Sequence, residues 1–225
     1  MRRLAALVLL LPLALVACGG GGKKSSTTTS TAADPGRTAI VALLHAASHH
    51  DAQALWALLS TQSQKRYGSL AAFRAGAATT IEKSLVPFEH ETISPFISQS
   101  VSQQFGIVAV RAGSKALAFP LRHQNGGWKV ETPGPVTISI SGPQPGSHGL
   151  VAQIGVEIHA PTSPDDGVLW VDGSPVQSQI YSGPKSATVF ANLTKALPAG
   201  IHIAVAYAEA GNNASAVAWT FTATS

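Results

Sequence analysis

The chain is poor in cysteine, in charge and in aromatic rings. A single Cys among 225 residues excludes any disulfide within the chain and any cysteine-based zinc site. Charged residues make up 12%, about half the ~25% usual for globular domains. That argues against a nucleic-acid partner held by a dense Lys/Arg face. A run of 13 apolar residues at positions 4–16 falls short of the ~20 that a membrane-spanning helix needs. Neither a Gly-rich phosphate loop nor a nucleophile elbow occurs. What remains is an apolar fraction of 45%, enough to bury a core, in a length suited to one or two domains.

Residues 1–18 read MRRLAALVLLLPLALVAC. Arg2 and Arg3 form a positive start, and the apolar run has the length and flanks of a secretory signal. Its end, Leu15-Val16-Ala17-Cys18, resembles the lipobox of bacterial lipoproteins. The resemblance implies cleavage between Ala17 and Cys18, lipid on the Cys18 thiol, and a chain anchored to the bacterial cell membrane on its extracytoplasmic face. More than one acyl chain is needed for stable anchoring, at about 0.8 kcal/mol per buried CH₂. Residues 18–36 follow as a Gly/Ser/Thr stretch without bulky apolar groups, which predicts a disordered tether. Its reach is roughly 23 Å.

Residues 37–134 open with helical periodicity. Ile40, Leu43, Leu44 and Ala47 lie on one face, and Leu55, Leu58 and Leu59 resume the pattern with Asp51 as its cap. Ser69 opens a third helix bearing Leu70, Phe73, Ala77 and Ile81. From about Thr92 the period falls to two, and Asn125-Gly126-Gly127 marks a hairpin before Trp128. The order, with LWALLS at 55–60, RYGSLAAFRA at 66–75 and FPLRHQNGGWKV at 119–130, resembles the nuclear transport factor 2-like family. The resemblance implies an α+β cone, three helices on a curved antiparallel sheet, with a pocket. Tyr67, His90, His123 and Trp56 are the candidate pocket-lining residues. His45 and His49 share a helix face but have no third ligand, and Glu89-His90-Glu91 alternates faces on an extended segment. No catalytic set, metal site or cofactor is expected.

Residues 135–225 carry strand signals alone. Candidate strands at 136–140, 151–160, 168–171, 176–181, 186–193, 201–207 and 214–222 predict an all-β sandwich. LWVDGSPV at 169–176 and the last 27 residues before Thr224 resemble the bacterial Ig-like family. His202 is expected to make a structural corner hydrogen bond, and Trp170 and Trp219 to fill the sandwich core. A surface aromatic patch for glycan stacking is the alternative for the two tryptophans.

The basic first region and acidic second one predict a compact pair drawn together by charge. The function implied is that of a membrane-anchored, non-enzymatic lipoprotein binding a small ligand or a protein partner. The alternative is an acid–base enzyme of isomerase or dehydratase type, using the cone pocket.

Overall fold

A computed structural model of the chain describes residues 35–85, 88 and 94–224. The signal, Ala17, Cys18, nearly all of the tether and His90 lie outside the described residues. Ala33–Ser225 forms one compact unit.

Helix α1 (Pro35–Ser48) starts with two residues assigned to the tether, and a proline suits a first turn whose N–H has no helical acceptor. It buries Ile40, Leu43, Leu44 and Ala47, as the spacing requires. Helix α2 (Ala52–Leu58) begins at Asp51, whose Oδ1 accepts the N–H groups of Gln53 and Ala54 at 3.1 and 2.9 Å. Helix α3 (Thr61–Tyr67) is capped by Ser60. It was not legible in the sequence because its one fully buried residue is Ser63, which leaves no apolar stripe to read. Helix α4 (Leu70–Ala72), capped by Ser69, runs through a π turn at Phe73–Ala77 into α5 (Ala78–Leu85).

Four antiparallel strands follow as a meander: β1 (Ser94–Ser100), β2 (Phe105–Ala112), β3 (Lys115–Gln124) and β4 (Gly127–Val130). Asn125 and Gly126 take φ of 52° and 74°, the left-handed pair a two-residue hairpin demands. The remaining strands are β5 (Thr137–Gly142), β6 (His148–Gly149), β7 (Gln153–His159), β8 (Asp166–Val171), β9 (Ser174–Val176), β10 (Gln179–Ser182), β11 (Ser186–Asn192), β12 (Gly200–Ala210) and β13 (Asn213–Ala223). They form two sheets, β10-β11-β7-β5 and β6-β13-β12-β8-β9, which is the strand order of an Ig-like sandwich.

The unit has four layers and three cores between them. Helices pack on the meander through Ile40, Leu43, Leu55, Phe73, Val108 and Val110. The other face of the meander, with Phe105, Ile107 and Ala109, meets Trp170, Ile203, Val205 and Tyr207 of the five-stranded sheet. Behind that sheet, Ala204, Ala206, Trp219 and Phe221 pack against Ile154, Ile158 and Val189 of the four-stranded one. Strands β2 and β12 are thus buried on both faces, which explains the unbroken runs FGIVAV and IAVAYA.

This arrangement corrects the expected cone. The described residues are mostly strand, and the helical part is a series of short segments interrupted at Asp51, Ser60 and Ser69. The second face of the meander is covered by the sandwich, so the sheet is an inner layer and not the outer wall of a cone. Trp170 is also relocated. It is 1% exposed and lies between meander and sandwich, whereas Trp219 is in the sandwich core and donates its Nε1 proton to the Pro143 carbonyl at 2.8 Å. Both are buried, so neither belongs to a surface glycan patch. The layer joining the two regions is largely apolar.

Candidate functional site

Strand β4 pairs only with residues 121–124 of β3, so the first half of β3 has no strand neighbour on that side. A cavity of about 480 Å³ runs along this uncovered edge, within the usual ~300–1,000 Å³ of small-molecule sites. Tyr67 and Leu43 bound it on the helical side, with Ile81 and Ser84 of α5. Phe119 and Pro120 of β3 form its floor, and Ser215 of β13 closes the far side. Its surface is predominantly apolar. The Tyr67 ring is held edge to face against Phe73, with centroids 5.2 Å apart. Its hydroxyl has no hydrogen-bond partner among the described residues. The Ser84 hydroxyl is engaged, donating to the Ile81 carbonyl at 2.7 Å.

One carboxylate, Glu131, borders the cavity and is 2% exposed. Arg122 Nε donates to its Oε1, and Arg66 Nη2 donates to its Oε2 at 2.9 Å. Ser63 Oγ adds a third bond to Oε2 at 3.1 Å. The Arg122 guanidinium lies 4.5 Å from the centre of the Phe105 ring, and its other nitrogens donate to Asn212 Oδ1 and O at 2.6 and 2.8 Å. One arginine therefore ties the meander to the β12–β13 turn. With all its contacts filled, Glu131 is held as half of an ion-pair cluster, an arrangement unsuited to moving protons.

Of the candidate pocket residues, Tyr67 lines the cavity. Trp56 is not part of the lining and packs against the helical core, 5.4 Å from the Phe73 ring. His123 is exposed on β3 and leans on Trp128 at 5.1 Å. Among the described residues, Tyr67 and His123 are therefore not brought together. His45 and His49 stack on each other at 4.2 Å in solvent. Among the described residues, no group of three His, Cys, Asp or Glu is placed to hold a metal ion. None of the described helices is long and apolar enough to cross a membrane.

His202 occupies the corner foreseen for it. Its Nδ1 and Nε2 lie 2.7 Å from Asp172 Oδ2 and from the Pro198 carbonyl, while Asp172 Oδ1 accepts the Ile203 N–H at 3.0 Å. Burial opposes a charged ring there, but the bonds to Asp172 and Pro198 and the Asp172 charge outweigh it, and the histidine is raised above its ordinary value. Two acceptors around one imidazole suit the doubly protonated form. Tyr207, sealed between the regions, donates to Glu209 Oε2 at 3.0 Å; burial and that carboxylate push its hydroxyl strongly up, so it stays neutral.

The Glu131 cluster escaped sequence reasoning. Arg66 and Glu131 are 65 residues apart, and no spacing within a single segment pairs them.

No protein-family model matches the chain, and no curated protein matches it. Among solved structures, PcoC, a methionine-rich copper resistance protein from Escherichia coli, overlaps at 19% identity over 39% of this chain and 98% of its own, with a TM-score of 0.28. The endo-β-1,4-mannanase of Thermotoga petrophila overlaps at 13% identity over 40% of this chain and 20% of its own, with a TM-score of 0.32. The titin fragment A168–A169 overlaps at 9% identity over 56% of this chain and 78% of its own, with a TM-score of 0.28. Overlaps this weak identify no family and transfer no activity.

Proposed function

We propose that the chain is a lipid-anchored extracytoplasmic binding protein, without catalytic activity, whose cavity takes a small, uncharged, mainly apolar ligand. The cavity beside the free edge of β3 carries this reading. It is of ligand size, its surface is apolar, and its acid is already neutralised by Arg66 and Arg122. The Tyr67 hydroxyl and the uncovered strand edge supply hydrogen-bonding groups for a ligand's polar end. The anchor rests on the sequence Leu15-Val16-Ala17-Cys18.

Two measurements test it. The expressed chain should partition into detergent on phase separation, and Cys18→Ser should return it to the aqueous phase. The Cys18→Ser protein should bind the neutral apolar dye Nile red with a saturable fluorescence rise. Thr80→Trp, which fills the mouth of the cavity from an exposed position, should weaken that rise at least fivefold while leaving the melting temperature within a few degrees. Unsaturable binding, or binding indifferent to Thr80→Trp, would refute the cavity as the site.

A further inference from the structure

The four-stranded sheet of the sandwich turns one face inward to the core and the other to solvent. Register fixes which residues share the outer face. On β11 they are Thr188, Phe190 and Asn192, which are paired respectively with Tyr181, Gln179 and Gln153. Tyr181 is 63% exposed, and its ring is parallel to that of Phe190 within 5°, with centroids 5.6 Å apart. They are diagonal neighbours on adjacent strands and the rings stack, so Phe190 backs Tyr181 and the Tyr181 ring presents its apolar face to solvent.

The surroundings of this platform are hydrogen-bonding, with one exposed carboxylate, Glu157, paired across from Thr188. Gln153 Nε2 donates to Asn192 Oδ1 at 3.0 Å, which fixes two amides side by side next to Phe190. The Tyr181 hydroxyl donates to Gln179 Oε1 at 3.3 Å, which holds the ring over its own strand. Gly155 is paired with Phe190 from the other side, and the space above it is filled: a Cβ there would come within 2.8 Å of Ser141 Oγ and 3.3 Å of Phe190 Cβ, which puts the Ser141 hydroxyl close beside Phe190. The four strands of this sheet contain no Lys or Arg, and besides Tyr181 their titratable residues are Glu157 and His159.

We propose that this face is a carbohydrate-binding platform, on which the C–H face of a neutral pyranose stacks on the Tyr181 ring backed by Phe190. The ring hydroxyls then meet the Gln153 and Asn192 amides and the Ser141 hydroxyl beside Phe190. A sugar presents an apolar face edged by hydroxyls, and this surface presents the complement of both. The absence of cationic side chains on these strands disfavours phosphate or sulfate groups as the recognised feature. The platform lacks the Met, Arg and contiguous aliphatic surface that mark the centre of a protein–protein interface. Its position on the outer sheet makes it separate from the cavity beside β3, so the two sites stand or fall independently.

Affinity electrophoresis of the Cys18→Ser protein tests the platform, in native gels containing a soluble β-glucan, a galactomannan or an arabinogalactan. Retardation is expected in at least one gel. Tyr181→Ala should weaken the association roughly fivefold, by loss of one stacking ring, and Tyr181→Phe should keep most of it. Because Tyr181 is exposed, the melting temperature of Tyr181→Ala should match the parent. Unaltered mobility in all three gels would overturn the proposal, as would Tyr181→Ala being retarded as strongly as the parent. A dimer that Tyr181→Ala dissociates, with no retardation in any gel, would reassign the face to contact between copies of the chain.

Discussion

The two halves of this chain solve the problem of burial in different ways. Residues 35–132 cover a meander with short capped helices and place a cluster of charge inside, where Glu131 holds Arg66 and Arg122. Residues 137–223 use sheet against sheet, with Ala204, Ala206, Trp219 and Phe221 of one sheet packed on Ile154, Ile158 and Val189 of the other. The first half therefore depends on a few polar contacts of high consequence. The second depends on many apolar contacts of similar weight. They meet on an apolar layer, so each half completes the other's core.

The comparison is broken most completely by separating the halves. A chain ending after Thr132 would expose Phe105, Ile107 and Ala109, which are fully buried in the whole protein. It is expected to aggregate or to lose the sharp melting transition of the parent, as judged by light scattering and thermal unfolding. A soluble, cooperatively melting fragment would show that the interface is dispensable.

A smaller effect sharpens the contrast in polar content. Glu131→Gln leaves two arginines without their shared carboxylate, at a cost of about 3–5 kcal/mol. An Ile203→Val change in the apolar layer should cost about 0.5–1.5 kcal/mol. Denaturant unfolding of the two variants reads the difference directly. Equal losses would mean that the Glu131 cluster contributes nothing special to the first half.

The smallest effect is the pH dependence of the His202 corner. The folded-state histidine is raised above its ordinary value, so its contribution is complete below the unfolded value of about 6.5 and is lost as pH rises through the folded value. The melting-temperature gap between the parent and His202→Gln should be widest near about pH 5.5–6 and narrow as the pH climbs above about 7. A gap that widens with rising pH would contradict the charged corner.

Local signals survived into the structure well. Asp51 and Ser69 cap helices because a carboxylate or hydroxyl before an apolar periodic run satisfies the first free N–H groups, whatever the rest of the chain does. Asn125-Gly126 turns a hairpin because those residues tolerate positive φ. The cone was misread for an equally physical reason. Phe105 to Val110 is apolar at every position but Gly106, which signals burial on both faces and hence a further layer. Read as an ordinary period-two strand of a curved sheet, it gives the wrong architecture. Trp170 went astray in the same way, since alternation places it on one face of β8 without saying which layer that face meets.

The candidate sites were less legible still. Tyr67 was singled out as a lone polar ring on an apolar element, but its cavity exists because β4 stops four residues into its pairing with β3. Tyr181 and Phe190 are nine residues apart on different strands, and only register puts their rings on one face. What the sequence determined by itself was local: the helix starts, the hairpin turns, the alternation of the sandwich strands, and the distribution of charge between halves. The tertiary structure alone decided which two-faced strands share a layer, which arginines reach Glu131, and which aromatic rings remain in solvent. Those outcomes depend on pairing register and on contacts between residues far apart in the chain, and no periodicity within a single segment encodes them.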